Sequence, residues 1–352
     1  MSKINLLGRT LPELENLLVQ LGEKPYRGRQ LFKWLYGTRQ YDFSLMTDFS
    51  KQLRETLDRN YTFEPLTLRE KVKSSDDTEK FLFRLEGGHL IESVLIPNDE
   101  KGRTTVCISS QAGCAMDCRF CATGKNGLAR NLTVGEILGQ LIFIRDLYGS
   151  QAFTNIVFMG MGEPLNNFDN LIEAVGIITD SVGLGLAAKR ITVSTVGIVP
   201  RIYKLADLGL KLRLAISLNA AIQEKRLRIM PVAETFPLDR LAEAARYYTQ
   251  KTGFRVTFEY VLFEGFNDTM EDIKALSELI KGIPCKINIF AYNPVPGFDL
   301  ARPSDEKVDW FARELYPRAP AVTVRKSRGR DIDAACGQLA GRINQVGGFH
   351  VA

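Results

Sequence analysis

Three cysteines, Cys114, Cys118 and Cys121, lie within a stretch of eight residues. Thiolates this close in sequence can bind three irons of a cubane iron–sulfur cluster and leave the fourth iron without a protein ligand. Because clusters that only carry electrons are normally closed by a fourth cysteine, the spacing predicts a 4Fe-4S cluster whose open iron does chemistry. The alternative is a structural zinc site with Cys107 as fourth ligand, although such sites more often contain two separated cysteine pairs.

The remaining residue types restrict the acid–base chemistry. The chain has two histidines, His89 and His350, which argues against a zinc hydrolase site or a serine–histidine–aspartate triad. Proton transfer must then fall to Glu, Asp, Lys, Tyr or Cys side chains. Strand alternation places Glu92 on one face with apolar residues, which would raise its pKa and suit a general base. An ion-paired or edge-strand glutamate is the alternative.

The elements that must position these residues fall into three stretches. Residues 11–60 carry leucines at helical spacing and predict helices. Residues 62–97 predict strands, including a hairpin that turns at Gly87 and Gly88. From about residue 104 strands and helices alternate, which is typical of a parallel sheet with right-handed crossovers. The predicted strands are Thr104–Ser109, Asn155–Gly160, Arg190–Thr195, Leu212–Leu218, Arg255–Leu262 and Cys285–Tyr292.

Six such units fall short of a closed eight-stranded barrel. The predicted fold class is therefore α/β: a partial (βα)6 barrel with a small N-terminal helical domain and a β-hairpin extension. We assign residues 1–60 to the helical domain, 61–99 to the β extension with Glu92, 100–331 to the barrel, and 332–352 to a C-terminal segment with Cys336. Ligands of such a barrel bind at the C-terminal ends of its strands.

Composition predicts the cellular setting. Of 352 residues, 45% are hydrophobic and 25% are charged, and the formal net charge is +5. No apolar run is long enough to span a membrane, and the N-terminus lacks the apolar core of a signal peptide. We therefore expect a cytoplasmic protein that makes no contact with a membrane. In that reducing compartment the six cysteines are expected to be ligands or catalysts rather than a disulfide framework.

Polar groups follow the predicted strands at their C-terminal ends, where a barrel binds its cofactor. Gly162 and Glu163 lie in the segment Gly160–Pro164 after the second strand. This segment is not a dinucleotide-binding fingerprint, because no G-x-x-G continues into a helix. The candidates after the third, fourth and sixth strands are Ser194, Ser217, Leu218, Asn219 and Asn293.

The C-x3-C-x2-C spacing after the first barrel strand resembles that of the radical S-adenosylmethionine (SAM) superfamily. Further segments are similar to one group within it, the RlmN/Cfr family of RNA methyltransferases, whose RlmN-type members have dual specificity. These segments are residues 109–114 (SSQAGC), 157–164 (VFMGMGEP), 284–288 (PCKIN) and 330–339 (RDIDAACGQL). The resemblance extends over essentially the whole chain. One residue departs from it, because Asn219 stands where the family usually has histidine.

The resemblance implies cofactors, an activity and partners. In the superfamily the open iron of the cluster chelates SAM, and one electron then releases a 5′-deoxyadenosyl radical. RlmN-like enzymes methylate C2 of an adenosine in 23S rRNA and of the adenosine 3′ of the anticodon in tRNA, and they consume two SAM molecules per methylation. The implied partners are 23S rRNA, tRNA, an electron donor such as flavodoxin, and a thiol reductant.

By the same resemblance, two lone cysteines carry the methyl transfer. Cys336 would accept a methyl group, and the radical would remove a hydrogen atom from it so that its carbon adds to adenine C2. A base, Glu92 or alternatively Cys107, would remove the C2 proton. Cys107 would then attack the sulfur of Cys336, forming a transient disulfide and releasing the methylated RNA. The rival hypotheses are methylation at adenine C8, as in the Cfr branch, and a non-enzymatic RNA-binding protein with a structural metal.

Two basic segments predict contact with RNA phosphates. Lys24, Arg27, Arg29 and Lys33 alternate with aromatic residues, although a solvated helix face explains that segment equally well. Residues 325–330 (RKSRGR) precede Cys336, where their charges would also stabilise a thiolate. The target adenine must leave its stack to reach the cluster, so base flipping or an already unstacked nucleotide is required.

Overall fold

The structure is a computed structural model that describes residues 3–98 and 102–341. His350 and the rest of residues 342–352 lie outside the described residues, as does residue 99 at the end of the predicted extension. No helix within the described ranges is long and apolar enough to cross a membrane.

The N-terminal stretch is helical, as predicted. It comprises β1 (Ile4–Asn5), α1 (Leu11–Gln20), α2 (Tyr26–Phe32), a π-helical turn (Lys33–Thr38), a 3-10 turn (Phe43–Leu45), α3 (Lys51–Asn60) and β2 (Tyr61–Thr62). α1 begins after Thr10, which forms a capping box with Glu13; the Glu13 carboxylate accepts a hydrogen bond from Thr10 N (2.7 Å). Leu14 and Leu18 of α1 are buried in an apolar core that is continuous with the core of the barrel.

The predicted extension is larger than a hairpin. Its strands are β3 (Thr67–Lys73), β4 (Glu79–Arg84) and β5 (Leu90–Asn98), paired antiparallel in sequence order. The predicted hairpin corresponds to β4 and β5, and β3 adds a third strand. β5 also pairs antiparallel with the first barrel strand. The extension is therefore part of the same sheet as the barrel.

The rest of the chain alternates strands and helices. In chain order these elements are β6 (Arg103–Cys107), β7 (Gln111–Gly113), α4 (Ala122–Lys125), β8 (Leu128–Asn131), α5 (Val134–Tyr148), β9 (Asn155–Phe158), α6 (Phe168–Thr179), β10 (Ile191–Thr195), α7 (Val199–Asp207), β11 (Arg213–Ser217), α8 (Gln223–Ile229), α9 (Val232–Thr235), α10 (Leu238–Thr252), β12 (Val256–Leu262), α11 (Met270–Leu279), β13 (Cys285–Ala291), α12 (Asp305–Leu315) and β14 (Val322–Val324).

The main sheet has ten strands in the order β14-β13-β12-β11-β10-β9-β6-β5-β4-β3. The strands from β6 to β14 in this sheet pair in parallel. The predicted partial (βα)6 barrel is confirmed, and each predicted strand agrees with the observed one to within two residues. β14 is a seventh parallel strand that the sequence pattern did not predict.

Two contacts fix the cysteine loop and the N-terminal stretch to this barrel. A Cβ atom on Gly8 would lie 2.3 Å from the backbone nitrogen of Gly135 at the start of α5, so the two backbones touch where no side chain fits. The side chain of Gln140 in α5 accepts hydrogen bonds from Ser93 Oγ (2.7 Å) and Ser109 N (2.8 Å). This buried amide joins the extension to the segment that leads into the cysteine loop.

Candidate active site

The cysteine loop connects the short strand β7 to α4 at the mouth of the barrel. Its backbone is fixed by hydrogen bonds from Cys114 N to Gly127 O (2.8 Å) and from Cys121 N to Cys118 O (3.0 Å). The loop forms one wall of a cavity of about 1030 Å³, open mouth included, at the C-terminal ends of the strands. Cys114, Cys118 and Cys121 all line this cavity.

Cys114 and Cys118 are buried, and Cys121 is partly exposed. Burial raises the pKa of Cys114 to about 12 and raises the pKa of Cys118 well above its ordinary value, and neighbouring thiolates add to both shifts. Such thiols ionise when a cation binds them. Within residues 3–98 and 102–341, no three Cys, His, Asp or Glu side chains are placed to hold one metal ion. All three thiols line one cavity, and in a cubane each thiolate binds a different iron, so this donor set fits a cluster.

Most of the predicted cofactor residues line the same cavity: Gly162, Glu163, Ser194, Ser217, Asn219 and Asn293. Gly162 has φ +99°, and a Cβ there would lie 2.5 Å from Gln111 Cβ, so the position requires glycine. The Glu163 carboxylate accepts hydrogen bonds from Leu165 N (3.0 Å) and Val196 N (2.8 Å). Burial raises the pKa of Glu163 to about 7. Glu163 thus also joins the ends of β9 and β10.

Leu218 does not line the cavity. Its side chain is buried in the core, and its backbone N–H donates to Glu259 O over 3.0 Å. The neighbouring Asn219 has φ +60°, a left-handed conformation that asparagine adopts more readily than most residues. Its Oδ1 accepts a hydrogen bond from Val261 N (3.1 Å). Asparagine therefore supports the local backbone where the family usually has histidine.

Cys336 reaches the cavity from the C-terminal segment, which folds back over the barrel mouth. Asn293 Nδ2 donates to Cys336 O (3.2 Å), and Ala122 N donates to Gly337 O (2.7 Å). The thiol is open to the cavity, yet protein surrounds it on most sides, and this burial raises its pKa. Arg325 lowers the pKa of Cys336, as predicted for the basic segment, but the effect of burial is larger.

Cys107 lies at the end of β6, behind the cavity rather than in its lining. Burial raises the pKa of Cys107 to about 12, and the charge of a Cys336 thiolate adds to this shift. The fold therefore brings these two thiols close enough to interact, although they come from the first barrel strand and the C-terminal segment. Cys285 is buried at the start of β13.

Glu92 is buried, but its surroundings differ from the prediction. Its Oε1 lies 3.2 Å from Lys80 Nζ, with the two side chains 2% and 4% exposed. Its Oε2 accepts hydrogen bonds from Ala340 N (2.8 Å) and Gly341 N (3.0 Å). The expected apolar environment is therefore wrong, and Glu92 is the ion-paired glutamate of the alternative. It does not line the cavity.

The sequence did not point to two further charged residues. Glu259 of β12 lines the cavity, accepts a hydrogen bond from Asn288 Nδ2 (2.9 Å) and lies 3.8 Å from Arg325 Nη1. Burial raises the pKa of Glu259. Its signal was a single acid in the otherwise apolar end of β12, residues 258–262 (FEYVL). Arg226 of α8 is fully buried, although its helix is rich in charged residues.

Two parts of the chain match described protein families. Residues 4–62 match the Ribosomal RNA large subunit methyltransferase N-terminal domain. Residues 108–280 match the Radical SAM superfamily. The first match covers the helical stretch and the second covers the cysteine loop and most of the barrel.

Similar proteins cover nearly the whole chain. A probable dual-specificity RNA methyltransferase RlmN from Cytophaga hutchinsonii is 46% identical over 331 residues, which is 93% of this chain and 90% of the relative. The dual-specificity RNA methyltransferase RlmN of Pseudomonas putida is 42% identical over 350 residues, covering 97% and 91%. The crystal structure of a radical SAM methyltransferase from Sphaerobacter thermophilus is similar with a TM-score of 0.90 and 42% identity, covering 96% of this chain and 100% of that one.

Proposed function

Because the chain belongs to the RlmN family of dual-specificity RNA methyltransferases within the radical SAM superfamily, we propose that it methylates C2 of an adenosine in 23S rRNA and of the adenosine 3′ of the anticodon in tRNA. The observation that carries this proposal is the presence of Cys336 in one cavity with Cys114, Cys118 and Cys121. Adenine C2 is electron-poor and does not attack the methyl group of SAM as an amine would. A methyl carrier on the protein solves that problem.

The superfamily uses a 4Fe-4S cluster and SAM. We assign one cluster per chain to Cys114, Cys118 and Cys121, and SAM to the polar groups at the ends of the barrel strands. When bound, these cofactors supply the methyl group and the one-electron chemistry that activates it, with two SAM molecules used per methylation. The protein's own part is to hold the reacting groups together in one cavity at the barrel mouth.

Cys336 is our candidate for the methyl carrier and Cys107 for the thiol that releases the product. Attack of the Cys107 thiolate on the Cys336 sulfur would form a disulfide and break the bond between that sulfur and the methylene carbon on the base. This carbon leaves with the bonding electron pair and takes up a proton to become the methyl group. A thiol reductant then restores both thiols. The electrostatic interaction between the two thiols supports this pairing.

Glu92 stays our candidate for the base that removes the C2 proton, with Cys107 as the alternative. Its carboxylate accepts hydrogen bonds from the segment that carries Cys336. These hydrogen bonds therefore link the position of the Glu92 carboxylate to that of the segment with Cys336.

We place the reaction in the cytoplasm, with an electron donor such as flavodoxin. The RNA would contact the exposed cations of the segment before Cys336, which are Arg325, Lys326, Arg328 and Arg330. Phosphate contacts of this kind set affinity and orientation, while the cavity selects the flipped base.

The position of the methyl group tests this function. Mass spectrometry of nucleosides from rRNA and tRNA, in cells with and without the protein, should show 2-methyladenosine that depends on it. Appearance of 8-methyladenosine would instead assign it to Cfr-like chemistry. RNA without any dependent methylation, together with colourless protein that contains only zinc, would favour the non-enzymatic RNA-binding alternative.

A further inference from the structure

Arg226 is a buried cation whose hydrogen bonds all go to neutral groups. It lies on α8 and is 0% exposed. Its Nε, Nη1 and Nη2 atoms donate to the carbonyl oxygens of Leu218 (3.2 Å), Phe236 (3.4 Å) and Val196 (2.7 Å). Among the residues that the structure describes, no carboxylate forms an ion pair with this guanidinium.

A buried charge of this kind is costly unless an opposite charge lies nearby. Carbonyl dipoles offset part of the cost, but they carry no net charge. Loop attachment alone does not explain a cation here, because a neutral donor can also bind carbonyl oxygens. The position therefore calls for a negative partner within the protein.

The charged group that acts on Arg226 most directly is the Cys118 thiolate. Burial lowers the pKa of Arg226 to about 10, and the charge of a Cys118 thiolate opposes that shift. The packing brings their segments together, because Arg119 N donates to Ile229 O (3.0 Å) and Cys118 lies in one buried apolar cluster with Ile229 and Met230. The end of α8 thus lies directly against the cysteine loop. Arg226 itself does not line the cavity.

We propose that Arg226 is the fixed counter-charge of the iron–sulfur cluster and raises its reduction potential. Three thiolates give the cluster a negative charge, which opposes the uptake of an electron in a dry site. A permanent positive charge on α8, which packs against the cysteine loop, offsets that repulsion, because net charge near a cluster is one of the determinants of its potential. This inference rests on the proposed binding of the cluster by Cys114, Cys118 and Cys121.

The test measures the reduction potential rather than methylation. Wild-type protein, Arg226→Met, Arg226→Lys and Arg228→Gln are reconstituted with iron and sulfide without oxygen, and the cluster is titrated with dithionite while its electron paramagnetic resonance signal is followed. Arg228→Gln is the matched control, because it removes one cation from the exposed side of the same helix. We expect Arg226→Met to lower the equilibrium constant for one-electron reduction of the cluster at least tenfold. This change corresponds to a reduction potential lower by about 59 mV. Arg226→Lys and Arg228→Gln should stay near the wild-type potential.

Each outcome distinguishes this inference from the assignment of the cluster. If the wild-type protein binds no cluster, both the cluster assignment and the role of Arg226 are wrong. If the cluster of Arg226→Met has the wild-type reduction potential, the role of Arg226 is overturned while the cluster assignment stands. The same holds if Arg226→Lys lowers the potential as much as Arg226→Met does. If Arg226→Met and Arg226→Lys are both unfolded even without metal, the role of Arg226 is only to bind the three carbonyl oxygens, and the proposal fails. A folded Arg226→Met that cannot take up the cluster, beside an Arg226→Lys that can, supports it.

Discussion

The side chain of Asn293 donates a hydrogen bond to the backbone carbonyl of Cys336 over 3.2 Å. Asn293 follows β13, so this bond joins the end of the sixth parallel strand to the C-terminal segment. It orients the backbone at Cys336 towards the cavity that also contains the three clustered cysteines. The methyl carrier in our proposal is therefore positioned by the barrel and not by its own short segment.

Replacing Cys336 and replacing Cys107 should block the reaction at different steps. Without Cys336 there is no methyl carrier, so Cys336→Ala should neither methylate RNA nor become attached to it. Without Cys107 the early steps can run but nothing displaces the product. Cys107→Ala should therefore accumulate protein bonded to RNA, seen as a shifted band on a denaturing gel. Absence of that adduct from cluster-loaded Cys107→Ala would contradict the mechanism.

Replacing any one cysteine of the loop should remove the cluster. Anaerobically reconstituted wild-type protein should bind about four irons, whereas Cys114→Ala, Cys118→Ala and Cys121→Ala should bind close to none. Iron analysis and the visible absorption of the cluster measure this. Cys285→Ala is the control, because that thiol is buried at the start of β13, outside the cavity lining. Full cluster content in all three loop variants would refute the assignment.

Methylation of Cys336 should be faster at higher pH. Burial raises the pKa of this thiol, so its reactive thiolate is scarce at neutral pH and increases as pH rises. Arg325 lowers the pKa and Glu259 raises it. Arg325→Gln should therefore move the pH profile to higher pH, and Glu259→Gln should move it to lower pH. Transfer of a labelled methyl group from SAM to the protein measures the profile, and shifts in the same direction would contradict this electrostatic account.

Removing one charge of the buried pair of Lys80 and Glu92 should lower the free energy of unfolding more than replacing both charges. Lys80→Met leaves the Glu92 carboxylate buried without its cation, and we expect a loss of about 3–5 kcal/mol in the free energy of unfolding. The double variant Lys80→Met/Glu92→Leu removes both charges and should lose less. Urea denaturation of the three proteins compares them. Equal losses in the single and double variants would show that the charges do not interact.

RNA affinity should depend on salt through the exposed cations before Cys336. Arg328→Gln/Arg330→Gln should weaken binding and reduce the slope of log affinity against log salt by about 1 for each phosphate that the variant no longer binds. Iron content should stay at the wild-type value, because neither residue lines the cavity. Filter binding at several salt concentrations gives the slope. A slope equal to that of the wild type would remove these residues from the RNA interface.

The sequence predicted the strands well because each has a regular pattern and a clear boundary. It did not predict β14, because three residues, Val322–Val324, are too short to show a period. The prediction of an apolar environment for Glu92 was wrong for a different reason. Glu92 pairs across the strands with Leu82, and Lys80 is its diagonal neighbour on the same face. That contact depends on the hairpin register, which the alternation within one strand does not contain.

Burial of charged residues was the other unpredictable feature. Arg226 stands in the sequence QEKRLRI, where four charged residues suggest a solvated helix. Its burial arises only because the ends of β10 and β11 and the turn after α9 enclose it. By contrast, the three cysteines of the loop lie so close along the chain that their presence in one cavity lining could be expected from the sequence.

The continuity between the extension and the barrel has a consequence for protein engineering. Gly329 N donates to Asp76 Oδ2 (2.9 Å), Lys80 reaches Asp333 O (3.4 Å), and Glu92 binds Gly341 N. The three antiparallel strands and the C-terminal segment are thus joined as one structural unit, although they lie far apart in the sequence. A chimera between family members that differ in which carbon they methylate would have to exchange both parts together.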